Sequence, residues 1–88
     1  MPNIKTLTNS NFNVLSYFYD NRDKNNLIRT TQNEVGLELN MNRSTINYIV
    51  KALKSDGYII HDESRVGRYY LTDIGIKVVE KLREVDKL

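Results

Sequence analysis

The sequence predicts a mostly helical α+β domain, in which four helices accompany one short strand and a small β-hairpin. Residues 32–51, QNEVGLELNMNRSTINYIVK, follow the pattern of two helices joined by a tight turn. Residues 58–71 contain two β-branched and aromatic runs around a polar loop, which is typical of a hairpin. Apolar residues also recur at helical spacing near both ends of the chain, so a helix is expected on each side of these two units.

The first helix is expected to begin after a polar capping residue and to run to about Asp20. Its candidate N-caps are Thr8, Asn9 and Ser10. Its expected buried face is formed by Phe12, Leu15, Phe18 and Tyr19. Residues 21–26 are polar and indicate a turn, after which Leu27 and Ile28 predict a very short strand.

The second helix has marked ends. Thr31 and Glu34 form the T-x-x-E pattern of a capping box, in which two backbone N–H groups are satisfied reciprocally. Gly36 provides a small residue where two helices cross closely, and Asn40 tolerates the positive φ that ends a helix. The apolar face of this helix consists of Val35 and Leu39.

The third helix is predicted over residues 43–55. Met41 is expected to point back into the core, and Asn42 is placed to cap the helix. Asp56 and Gly57 supply the turn and the left-handed residue that close it. Its apolar stripe, which we expect to join Leu39 in the core, consists of Ile46, Ile49, Val50 and Leu53.

The hairpin and the last helix complete the chain. Residues 58–61 and 68–71 are the predicted strands, and the polar residues between them form the loop. Thr72 is expected to cap a helix that runs to the end. The apolar residues of this helix at helical spacing are Val78, Val79, Leu82 and Val85. They serve either as a dimer interface or as part of the core.

The predicted order, α-β-α-α-β-β-α, is that of a winged helix domain. The segments TQNEVGLELNMNRSTINYIVKALKSDGYI, Thr31 to Ile59, and YYLTDIG, Tyr69 to Gly75, resemble winged helix-turn-helix transcriptional regulators of bacteria, archaea, phages and plasmids, particularly the MarR-like group. The resemblance implies sequence-specific binding to double-stranded DNA, with helix 43–55 in the major groove and hairpin 58–71 as the wing. The long flanking helices of full-length MarR-like proteins have no counterpart here, so the effector and the dimer interface stay open.

Helix 43–55 carries most of the candidate DNA contacts. With its apolar stripe inward, its outward and flanking residues are Ser44, Thr45, Asn47, Tyr48, Lys51 and Ser55. Arg43, in the first turn, suits guanine, and Asn47 suits adenine. Tyr48 and Lys51 are expected to hold sugar and phosphate. The alternative for each residue is an ordinary solvated helix surface.

Two further places are candidate backbone contacts. The resemblance implies that Arg65 and Arg68, in and beside the hairpin loop, lie along the DNA backbone or in the minor groove. Thr31 and Gln32 lie at a helix N-terminus, where they can donate to a phosphate. The alternative for Thr31 is that it simply caps the helix.

The composition argues against an enzyme. The chain has one histidine, no cysteine, and neither a glycine-rich phosphate loop nor a nucleophile elbow, so we expect no catalytic residues and no cofactor. His61 and Glu63 share a face of a strand while Asp62 points away, which leaves too few ligands for a stable metal site. The formal net charge of +2 is uninformative, although residues 42–55 contain basic residues and no acidic ones.

We therefore expect residues 1–88 to form one cytoplasmic domain that binds double-stranded DNA as a homodimer. The dimer follows because one helix reads only a few base pairs and paired half-sites multiply specificity. The chain has no apolar run long enough to cross a membrane and no signal-peptide pattern at its start. The alternatives are a winged helix protein-interaction module and a replication-initiation DNA-binding protein.

Overall fold

The computed structural model describes residues 7–86, which contain four helices and a three-stranded sheet in the predicted order. The elements are α1 (Asn9–Asn21), β1 (Leu27–Arg29), α2 (Gln32–Leu39), α3 (Arg43–Ser55), β2 (Ile59–His61), β3 (Arg68–Leu71) and α4 (Asp73–Asp86). The expectation that the last helix runs to the end of the chain involves residues 87 and 88, which lie outside the described residues. The predicted mostly helical α+β fold is confirmed.

The sheet places β3 in the middle, with β1 and β2 antiparallel on its two sides. β2 and β3 form the predicted hairpin, and Ile60 is paired with Tyr70. Tyr70 is also paired with Leu27, so the very short strand before α2 is the third member of the sheet. Only long-range pairing joins β1 to β3, because about forty residues separate them in the chain.

The turn between α2 and α3 has the predicted form. Asn40 adopts the left-handed conformation (φ 56°, ψ 47°), and the Met41 N–H donates to the Gly36 carbonyl at 2.8 Å. The Asn42 side chain caps α3 by accepting from the Thr45 N–H at 2.8 Å. Gly36 is required by the turn itself, because a Cβ there would lie 2.6 Å from the Met41 carbonyl oxygen. These contacts set the angle at which α3 leaves α2.

The capping box at the start of α2 is only half formed. The Thr31 hydroxyl accepts from the Glu34 N–H at 3.2 Å, as predicted. The Glu34 carboxylate does not complete the reciprocal pair; it accepts from the Thr30 hydroxyl at 3.3 Å. The Thr30 side chain, on a buried residue, thus competes with the backbone for this carboxylate.

The end of α3 is a Schellman motif. The Gly57 N–H donates to the Lys54 carbonyl and the Tyr58 N–H to the Leu53 carbonyl, with Gly57 at φ +79°. Tyr58 was predicted to begin the strand, but its N–H is committed to this cap, so β2 begins one residue later. The Thr72 hydroxyl accepts from the Gly75 N–H at 3.1 Å, which confirms it as the cap of α4.

The core lies between the helices and the inner face of the sheet. It includes the predicted α3 stripe of Ile46, Ile49, Val50 and Leu53, together with Leu15 and Phe18 of α1. Three expectations are wrong in part. Phe12, Tyr19 and Leu39 are only half-buried, because Val14 occupies the centre of the α1 face and Leu39 lies at the edge of α2.

The apolar residues of α4 are divided between the core and the surface. Val78 and Val79 are buried, Leu82 is partly buried, and Val85 is 55% exposed. The core therefore takes the central positions of this helix. Ile74 and Val85 are the large apolar side chains of α4 left exposed among the described residues.

Candidate nucleic-acid interface

The outward face of α3 is built as its periodicity predicts. With Ile46, Ile49 and Leu53 turned into the core, the opposite side is exposed, and Tyr48 is 74% exposed although its neighbour Ile49 is buried. The exposed residues of α3 are Arg43, Ser44, Thr45, Tyr48, Lys51 and Ser55. This face offers hydrogen-bonding groups and positive charge and contains no carboxylate.

Asn47 is half-buried and is held by α2. The Gln32 side-chain N–H donates to the Asn47 Oδ1 at 3.4 Å. This bond positions the Asn47 amide and uses one of the two lone pairs of its oxygen. It also brings Gln32, at the first position of α2, beside the first half of α3.

Thr31 lies next to this pair and caps α2. Its hydroxyl oxygen accepts from the Glu34 N–H, so the capping role is confirmed, while its own O–H remains available as a donor. The first turn of a helix presents backbone N–H groups without intrahelical acceptors, a favourable place for an anion.

The loop between β2 and β3 is shaped by Asp62. Its Oδ1 accepts from the Ser64 N–H at 3.1 Å and from the Ser64 hydroxyl, and the Arg65 N–H donates to the Asp62 carbonyl at 3.1 Å. The Ser64 hydroxyl and N–H bonds, with smaller contributions from Arg65 and Arg68, lower the pKa of the Asp62 carboxyl against an opposing effect of burial. Arg65 is exposed at the loop, and Arg68 is half-buried at the start of β3.

A groove of about 530 Å³ separates the loop from the two helices. It is lined by the predicted residues Thr31, Gln32, Arg43, Asn47 and Arg65. Ser44, Thr45, Tyr48, Lys51 and Arg68 lie outside this lining, on the outward face of α3 and on the sheet. The structure thus brings residues from three separate segments to one concave surface with two arginines on its walls.

Glu63 ties the loop to the end of α3. Its Oε1 lies 3.4 Å from the Lys54 Nζ and 3.6 Å from the His61 Nδ1. The His61 ring stacks on Tyr69 with a centroid distance of 4.7 Å. Glu63 and His61 also line the groove, so its wall carries one carboxylate, which is paired with Lys54. Within the described part of the chain no cluster of three or more metal-binding side chains occurs.

Sequence reasoning missed two residues at this surface. Asn33 lines the groove beside Gln32, and it also lines a second groove between α2 and the start of α3. Leu37 borders that second groove and is 85% exposed. The available signal was the i, i+4 spacing of Asn33 and Leu37, which places both on one side of α2, away from the buried Val35.

Comparison with protein-family models agrees with the fold. Residues 29–60 match the family model described as winged helix-turn-helix DNA-binding. Residues 7–86 have the winged helix-turn-helix fold, as the sequence resemblance indicated. None of the helices in residues 7–86 is long and apolar enough to cross a membrane.

Within this class the chain is similar to MepR, a transcription regulator of the Staphylococcus aureus multidrug efflux pump MepA. The MepR crystal structure matches with 25% identity and a TM-score of 0.76, over 93% of this chain and 59% of MepR. The S. aureus MepR–DNA complex matches with 25% identity and a TM-score of 0.71, over 91% of this chain and 64% of that one. The chain thus spans less than two thirds of these MepR chains. A comparison with curated protein sequences finds no match.

Proposed function

We propose that this protein is a small transcription regulator that binds specific sequences of double-stranded DNA, with α3 in the major groove and hairpin 58–71 as the wing. The observation that carries the proposal is the groove in which Arg43 and Asn47 of α3 face Arg65 of the loop, with the N-terminus of α2 between them. Two protein walls that carry arginines on both sides of a cleft suit a polyanion whose backbone enters it.

Each candidate residue has a role that follows from its position. Arg43 is exposed in the first turn of α3, where it can pair with the O6 and N7 atoms of guanine. The bond from Gln32 uses one of the two lone pairs of the Asn47 oxygen, so Asn47 can still offer both its NH₂ group and its oxygen to an adenine. Tyr48 and Lys51 hold sugar and phosphate on the same helix.

The remaining candidate residues help to fix the position of the protein along the DNA. Ser44 and Thr45 lie exposed in the first turn of α3 near the major-groove edge, and Ser44 already donates to the Asn42 Oδ1 at 3.1 Å. The hydroxyl of Thr31 and the amide of Gln32 can donate to a phosphate at the start of α2. Arg65 and Arg68 extend the contact along the wing.

The similarity to a transcription regulator solved in complex with DNA supports this assignment. We propose further that residues 1–88 act as one domain and bind as a homodimer, because a single reading helix gives too little specificity on its own. The core occupies the middle of α4, so this helix offers a partner little more than Ile74 and Val85. Since its target would be bacterial, archaeal, phage or plasmid DNA, we assign it to the cytoplasm.

The test is to select bound fragments from a random duplex pool and to compare Arg43→Ala with Lys51→Ala on the selected site. Arg43→Ala should relax discrimination at one base position at a cost of about 1–3 kcal/mol. Lys51→Ala should weaken binding to all sequences alike and reduce the salt slope by about one. Lys77→Ala, on an exposed position of α4, is the control and should change neither quantity.

Two outcomes would contradict the proposal in different ways. If neither variant changes binding while the double replacement of Arg65 and Arg68 abolishes it, the wing reads the DNA and the assignment of α3 is wrong. If the pool yields no enriched sequence and all variants behave alike, the domain is not a sequence-specific DNA-binding protein, and the protein-interaction alternative becomes the better one.

A further inference from the structure

Two arginines lie directly opposite one another on the outer face of the sheet. Arg29 in β1 is the cross-strand partner of Arg68 in β3. The next pair along, Thr30 and Gly67, is hydrogen-bonded, with the Thr30 N–H donating to the Gly67 carbonyl at 2.9 Å. Hydrogen-bonded and non-hydrogen-bonded pairs alternate in an antiparallel ladder, so the arginines form a non-hydrogen-bonded pair, the closer kind, with Cα atoms about 4.5 Å apart.

This face is the one turned away from the core and the groove. Side chains alternate along a strand, and the intervening residues Ile28 and Tyr69 are buried in the core. Arg29 and Arg68 therefore share the opposite face with the row Leu27, Tyr70 and Ile60. Arg29 is exposed, and Arg68 is half-buried.

The pair works against the stability of the sheet. Like charges directly opposite each other in neighbouring strands are destabilising. Within residues 7–86 neither arginine forms an ion pair. Asp23 attracts Arg29 and Asp62 attracts Arg68, but these carboxylates accept hydrogen bonds within their own turns, Asp23 from the N–H groups of Asn25 and Leu27 and Asp62 from Ser64. Two adjacent guanidinium groups that form no ion pair among the described residues are a site for an anion with several acceptor oxygens.

The position of the pair indicates which anion. Arg68 begins β3 directly after the turn at Gly67 (φ +76°), and Arg65 lies three residues earlier in the loop at the wing tip. Arg65 lines the inner side of the wing, and Arg29 and Arg68 are on its outer side. A wing that enters the minor groove has one sugar-phosphate strand on each side of it.

We propose that Arg29, together with Arg68, binds a DNA phosphate on the outer side of the wing, across the minor groove from the strand held by α2 and α3. This inference rests on the proposed function, and it adds β1 to the elements that contact DNA. The contact is independent of base sequence and fixes how far the wing enters the groove.

The test uses Arg29→Gln and a short, fluorescein-labelled duplex of mixed sequence, with the dissociation constant measured by anisotropy across a salt series. The salt exponent is the magnitude of the slope of log affinity against log salt concentration. Each phosphate neutralised adds roughly 0.9 to this exponent, so Arg29→Gln should lower it by about that amount. Between about 50 and 200 mM salt, the unaltered protein should then lose about 3.5-fold more affinity than the variant. Lys24→Gln is the matched control, because Lys24 is exposed in the turn at the other end of β1.

Arg29→Lys keeps the positive charge and should keep the exponent, which separates loss of a phosphate contact from damage to the strand. Arg29→Gln should also unfold at the same temperature or higher, since it removes the repulsion from Arg68. Arg29→Thr, with its higher β propensity, replaces the Gln variant if that variant fails to fold.

An exponent for Arg29→Gln equal to those of the unaltered protein and of Lys24→Gln would overturn the inference and leave the proposed function intact. Absence of duplex binding by the unaltered protein would overturn both. A drop of similar size in Arg29→Gln and Lys24→Gln would mean that general charge, not this pair, sets the affinity, and the inference would again be wrong.

Discussion

Ile49 and Tyr48 are adjacent in α3, but truncation of Ile49 should lower the stability of the fold, whereas truncation of Tyr48 should weaken DNA binding. The Ile49 side chain is 2% exposed and belongs to the core, whereas Tyr48 is 74% exposed. Ile49→Ala removes three buried carbon atoms, which contribute about 2.4 kcal/mol at roughly 0.8 kcal/mol each. A residual cavity of about 60 Å³ would add roughly 1.4 kcal/mol. We therefore expect the free energy of unfolding to fall by about 4 kcal/mol if the site does not relax and by about 2 kcal/mol if it does.

Such a loss is large for a domain of 88 residues, whose total stability should be about 4–13 kcal/mol. Urea unfolding followed by circular dichroism measures it, and the melting temperature should fall by about 10–25 °C. Tyr48→Ala is the matched control and should change the free energy of unfolding by less than about 0.5 kcal/mol while weakening DNA binding. A loss below about 0.5 kcal/mol for Ile49→Ala, or above about 1 kcal/mol for Tyr48→Ala, would show that α3 is rotated from the orientation described.

Two further predictions concern the turn before α3 and the turn before β1. Gly36→Ala brings a Cβ to 2.6 Å from the Met41 carbonyl oxygen. It should therefore lower the free energy of unfolding by about 1–3 kcal/mol and reduce DNA affinity by moving α3. An unchanged denaturation midpoint would contradict this prediction. Hydrogen bonds from the Leu27 and Asn25 N–H groups lower the folded-state pKa of Asp23 below its unfolded value near 3.9. Its stabilising effect is therefore complete above that unfolded value and is lost as pH falls through the folded one. Asp23→Asn should flatten the acid side of the stability profile, and acid unfolding identical to that of the unaltered protein would refute the assignment.

Much of the local structure could be predicted from the sequence. Thr8, Thr31, Asn42 and Thr72 were candidate caps, and all four side chains accept a backbone N–H at the start of a helix. Asn40 and Gly57 were expected to end helices, and both adopt positive φ. These features depend on residues within a few positions of one another, and their steric and hydrogen-bonding preferences hold before the chain folds.

The candidate site was only partly predictable. The exposure of Arg43, Tyr48 and Lys51 follows from the period of the helix once its apolar stripe is known. The bond between Gln32 and Asn47, which positions the Asn47 amide, joins two helices and has no signature in either segment. The exposure of Val85 was equally undecided, because it depends on how much of α4 the core can cover.

The sequence by itself determined the elements, their ends and the polar face of α3, because periodicity and capping are local properties. Only the tertiary structure decided that β1 joins β3, that Arg29 therefore faces Arg68, and that the wing closes a groove with the two helices. A strand of three residues can pair in several registers, and a shift by one residue turns its side chains to the other face. The register is selected by burying Ile28 in the shared core, and that choice requires the whole chain.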